Sequence, residues 1–222
     1  MKISFLKWGA VSLALLVSAT GATTLLAQDQ SSSTSAATPA QEPEKKADPS
    51  IAQRKENQQD RIANGVKSGQ LTPGETANLE KKEAAINKET RTDRAANGGK
   101  LTSAEKAQVN QQQNQMSKQI YADKHNANTA HYGNNKVGQR RENQPDRIAQ
   151  GIKSGQLTPG ETAKLEKQQQ GINKQVATDR KANGGTFTAS QKKQINREQN
   201  QASRNIYKKK HNAATQPNAK KP

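Results

Sequence analysis

The chain has 222 residues, a formal net charge of +17 and no cysteine. Hydrophobic residues make up 29% and aromatic residues 3%, too few for one large core, so folding is expected only in small, well-patterned units. The missing cysteine excludes disulfides, lipid attachment at a cysteine and a thiol nucleophile.

Residues 1–27 read as a secretory signal. Lys2 and Lys7 give a positive start, Trp8 to Val17 is a short apolar stretch, and small residues follow from Ser18 to Ala22. That stretch is about half the roughly 20 residues that span a bilayer, so cleavage near 19–27 and an exported, periplasmic or extracellular protein are expected. Residues 28–52, rich in Ser, Thr, Ala, Pro, Gln and Glu without periodicity, read as a flexible tether.

The remainder repeats. Gln53–Asn126 aligns with Gln139–Asn212 at an offset of 86 residues without a gap, with about 47 of 74 positions identical. The segment KSGQLTPGET occurs in both copies, at 67–76 and 153–162. Residues 53–126 and 139–212 are therefore read as two helical repeats, 127–138 as a mobile linker and 213–222 as a basic, disordered tail.

Each repeat carries the same punctuation. Gly69 is suited to end a helix, Thr72 to cap the next, Pro73 to occupy its first turn and Glu75 to reach back to the cap. Thr102 with Glu105 and Thr158 with Glu161 repeat that box, and Thr188 with Gln191 is its uncharged variant. The boxes predict three helices in the first repeat, over 53–68, 73–96 and 103–125, and three more at the same offset. Ile62 with Val66, Leu79 with Ile86, and Val109 with Met116 and Ile120 supply the apolar stripes. The expected fold class is all-α, two small helix-loop-helix modules after a disordered tether, and the thin core leaves room for self-association.

The turns resemble EF-hand loops. In the twelve-residue frames Asn64–Glu75, Arg94–Glu105 and Gln150–Glu161, glycine stands at position 6, leucine at position 8 and glutamate at position 12. The resemblance implies paired EF-hand-like units and a calcium-responsive or structural role. The ligand positions do not support a bound ion: positions 1, 3 and 5 offer Asn64, Val66 and Ser68 in the first loop and Arg94, Ala96 and Gly98 in the second. No metal or cofactor is expected. The Ile-Tyr-x-x-Lys-His-Asn repeat endings also resemble a type of exported bacterial protein, and that likeness implies no particular activity.

His125 and His211 close equivalent helices and read as C-terminal caps. Tyr121 and Tyr207 read as core or interface anchors. No arrangement of serine, histidine and acid recurs, so an enzyme and a small-molecule substrate are not expected. Charge is the remaining signal: the first repeat is +4 and the second +10. Arg140, Arg141, Lys192, Lys193, Lys208, Lys209 and Lys210 are the candidate contacts for an anionic polymer or envelope component.

Overall fold

The computed structural model describes residues 50–133 and 135–216, all of the secondary structure being helical. The expected signal, nearly all of the tether, and the last residues of the tail lie outside them. Six helices follow in order: α1 (Ile51–Lys67), α2 (Pro73–Ala96), α3 (Ser103–Lys124), α4 (Lys136–Lys153), α5 (Pro159–Ala182) and α6 (Ala189–Lys210). Among the described residues no helix is long and apolar enough to cross a membrane.

Local chemistry sets the helix ends. Thr72, Thr102, Thr158 and Thr188 each accept from the backbone N–H three residues on, while the side chain there returns to the cap's own N–H. Two starts escaped the sequence reading. Ser50 forms a further box with Gln53, and Asn135 caps α4 by accepting from Gly138 N–H at 2.9 Å. As a result α4 begins at Lys136, inside the segment expected to be linker. Gly69 and Gly155, at φ of 70° and 71°, make the left-handed stop that releases each chain reversal.

The helices do not form two separate cores. α2 packs most extensively on α5 and α1 on α4, and each of these pairs joins the two halves of the chain. The α2–α5 pair is antiparallel: the α2 start at Gly74 lies against Gln170 in mid-α5, while the α5 start at Thr158–Gly160 shares a groove with Ile86–Arg94 of α2. One apolar cluster draws Ile62, Leu79, Met116 and Ile120 together with Ile148, Leu157, Leu165 and Ile206. A smaller one holds Ile172, Val176, Ile195 and Ala202. Sharing apolar surface between halves is how a chain this poor in large side chains reaches burial that a unit of about 75 residues would lack.

Buried glutamines tie the third helix of each half to the first. Gln58 Nε2 donates to the carbonyl of Gln113 at 2.6 Å and Gln113 Nε2 to that of Ile51 at 2.9 Å. The equivalent Gln144 and Gln199 repeat both bonds, to Gln199 and Val137, at 2.7 and 3.0 Å. After α3 the chain turns back and Ala130 N–H donates to the Gly69 carbonyl at 2.8 Å; Gln216 N–H does the same to Gly155 at 2.9 Å. The Ala130 bond falls within the segment 127–138 read as linker.

Candidate functional site

A row of exposed charge lies on α6. Lys193, Arg197, Arg204 and Lys208 are all exposed, and their spacing of four, seven and four residues puts them on one helical face over about 22 Å. Arg197 and Arg204 were not among the expected contacts. Neighbouring cations draw the eye to Lys192–Lys193 and Lys208–Lys210, whereas a helix collects its face at spacings of three, four and seven. The equivalent positions in α3 are Ala107, Gln111, Lys118 and Ala122, so the stripe belongs to the second half alone.

The other expected contacts divide. Lys192 is exposed and Arg140 half-buried, its guanidinium on Asn200. Lys209 forms an ion pair with Glu161 at 3.5 Å. Lys210 is pressed against Gly151, and burial holds its ammonium below the ordinary value. Arg141 is only 8% exposed: its Nε donates to Asn173 at 2.7 Å and its guanidinium lies 5.0 Å from the Tyr132 ring centre. It is packed into the fold with little of its surface exposed.

The capping acids are engaged. Burial pushes Glu75 up, but hydrogen bonds from Thr72, Asn126 and Asn128 outweigh it and its carboxyl sits below the usual range. Glu161 follows the same pattern with Asn212, Thr158 and Lys209. Both would have to leave these partners to serve as the twelfth residue of a calcium loop. The turns at 68–72 and 97–102 also stand at opposite ends of α2, a helix of 24 residues and about 36 Å. That separates the loops which the EF-hand resemblance placed side by side. Among the described residues no three His, Cys, Asp or Glu side chains converge to hold a metal ion.

Tyr121 and Tyr207 are 61% and 59% exposed, which removes them from the core. Each stacks on the histidine one turn later, ring centres 4.1 Å apart. His125 and His211 contact the Tyr121 and Tyr207 carbonyls through Nδ1 at 2.7 and 2.8 Å.

Sequence reasoning missed the buried acids. Glu80, Glu83 and Glu166 are at most 1% exposed, on the helices α2 and α5 that face each other. Burial pushes Glu83 up to about 7 and Glu166 to about 8, and raises Glu80 well above its ordinary value. Lys55 is the cation that opposes burial most at Glu83. The signal was present: Leu79, Glu83 and Ile86 fall on one stripe at spacings of four and three.

Comparison of the chain with protein-family models, with curated proteins and with solved structures gives no match in any of the three.

Proposed function

We propose that this is an exported, non-enzymatic helical binding or scaffold protein that holds an anionic polymer on the outer face of α6. The observation that carries the reading is the stripe Lys193, Arg197, Arg204 and Lys208. Between described residues one ion pair closes, Lys209 with Glu161, and it draws on none of the four. Cations held at fixed spacing on a rigid helix attract a polyanion through its charge and release its counterions on binding. Aromatic residues are too sparse for a base-stacking platform, so a charge-regular polymer such as an acidic polysaccharide suits the surface better than a base sequence. The signal-like residues 1–27 support the exported setting.

The fold itself is read as a duplicated three-helix unit, the copies joined through α1–α4 and α2–α5. The matched glutamine bonds and matched returns to Gly69 and Gly155 support it. In this reading the Gly-x-Leu-Thr turns are stop-and-cap devices of EF-hand-like outline. The test is retention of the full chain on heparin across a salt series, against a variant with Lys193, Arg197, Arg204 and Lys208 all changed to glutamine. Unchanged retention would remove the proposal.

A further inference from the structure

The two halves differ at one pair of equivalent grooves. In the second half, between α4 and α5, Tyr132 inserts its ring beneath the Arg141 guanidinium and takes a side-chain hydrogen bond from Asn173. The following residue, Gly133, lies against Arg180, 3.6 Å from where its Cβ would stand. The corresponding groove of the first half, between α1 and α2, is an open cavity of about 710 Å³. Its wall keeps the chemistry that receives Tyr132. Ile51, Lys55, Ile86, Asn87 and Arg94 line it, and they are the equivalents of Val137, Arg141, Ile172, Asn173 and Arg180. Apolar side chains, a cation, an amide and an arginine therefore stand in the same order around a space that no side chain of the described residues fills.

A second feature marks this groove as built for a polar occupant. Glu83 is fully buried behind Asn87, with no well-formed hydrogen bond at either carboxyl oxygen and a weaker one from the Asn87 side chain. Lys55 and Asn87, which line the groove, are the groups that favour its charge. Buried polar atoms short of partners are uncommon in folded proteins, and the single proton of a bound hydroxyl would give Glu83 one further hydrogen bond.

We propose that this groove is a binding site for a small phenol, its ring against Ile51 and Ile86 and its hydroxyl at Asn87 and Glu83. The occupant is a free ring rather than a peptide following the path of Tyr132–Gly133. That path depends on Gly138, where a Cβ would come within 1.4 Å of the Gly133 carbonyl oxygen. The first half has Ala52 at the matching position, so its methyl closes the backbone route and leaves the ring cavity. This inference is independent of the α6 stripe.

The full chain is titrated with p-cresol and with toluene, and binding is followed through the side-chain amide resonance of Asn87. One equivalent of p-cresol is expected to bind at least tenfold more tightly than toluene, and Asn87→Ala should lose that preference. Tyr132→Ala opens the second groove, so it should bind two equivalents. Equal affinity for toluene would reduce the groove to an unspecific apolar cavity and overturn the proposal. So would p-cresol binding to Tyr132→Ala but not to the native chain. Deleting residues 217–222, which follow Gln216 at the rim, should leave the affinity unchanged; a tenfold gain would assign the groove to the chain's own tail.

Discussion

Gln59 Nε2 donates to a carboxyl oxygen of Glu80 at 3.2 Å, a hydrogen bond that reaches the buried acids where α2 meets α5. The other Glu80 oxygen and both oxygens of Glu166 have no partner, and Glu83 has only a weak one in the Asn87 side chain. Glu80 also feels the like charges of Glu83 and Glu166, with Lys55 opposing them. The arrangement favours the neutral carboxyl in the folded state.

Stability should therefore fall as pH rises across the neutral range. An unfolded glutamate titrates near 4.5, whereas folded Glu83 and Glu166 titrate at about 7 and about 8. Between those limits the folded chain binds more protons than the unfolded one, so the free energy of unfolding decreases with pH. The contribution is complete below pH 4.5 and is lost by about pH 8. Glu75 and Glu161, held low by their caps, act oppositely and weaken the fold only in acid. Urea melts from pH 4.5 to 8.5 should show the midpoint falling; a midpoint that rises over this range would contradict the burial of these acids.

Glu166→Gln tests the same group at fixed pH. The amide keeps the shape and removes the proton that folding must hold. The variant should be more stable than the native chain at pH 8 and close to it at pH 4.5, with a flatter pH dependence between. Equal destabilisation at both values would mean that the carboxyl makes a specific bond which the amide cannot.

Thr72→Ala and Thr158→Ala should each lower stability by about 1 kcal/mol, the ordinary cost of an N-cap. Each threonine accepts from the N–H of its glutamate, at 3.3 and 3.4 Å, and donates its hydroxyl to the same carboxylate, at 2.7 and 2.9 Å. Removing one leaves Glu75 or Glu161 with less to hold it down, so the loss should be larger at pH 7 than at pH 4. Denaturant melts at the two pH values check both the size and the pH dependence.

The helix ends were legible in the sequence because they are set locally. A threonine, a proline or serine and a glutamate fix a start within three residues, whatever the rest of the chain does. Arrangement was not legible, because it depends on which apolar stripe meets which. Two independent modules and paired loops are compatible with the same caps as the antiparallel α2–α5 contact. The burial of Arg141 shows the same limit. Its neighbour Arg140 carries the same charge, but Arg141 stands three and seven residues before Gln144 and Ile148 on the buried face of α4, where Tyr132 and Asn173 receive it. Glu80, Glu83 and Glu166 were passed over because charged residues are ordinarily exposed, although the spacing from Leu79 to Ile86 already placed Glu83 on the core face.

A fragment of residues 50–133 should not fold as a monomer. Two of its three helices, α1 and α2, pack most extensively on α4 and α5, and Ile62 and Leu79 belong to a cluster completed by Ile148 and Leu165. Circular dichroism and sedimentation of the fragment should report a largely unfolded chain or a dimer in which a second copy replaces the missing half. A cooperative, concentration-independent melt would show that the half is an autonomous module.

Affinity for a polyanion should follow the α6 stripe rather than the lysine run at its end. Each cation placed on a phosphate steepens the log–log salt dependence by about 0.9 on duplex DNA. Changing Lys193, Arg197, Arg204 and Lys208 together to glutamine should then lower the slope by roughly three to four units if all four are in contact. Changing Lys208, Lys209 and Lys210 together should lower it by only about one. Within that run Lys209 is already committed to Glu161 and Lys210 packs beside Gly151, which leaves Lys208 facing outward. The comparison must be made in the full chain, because the halves share a core. Melting temperatures measured beside the binding series separate charge from folding, since the four stripe residues are exposed and their loss should leave the melt nearly unchanged. A steeper loss from the lysine run than from the stripe would move the contact surface to the end of α6, where Tyr207 and His211 stack.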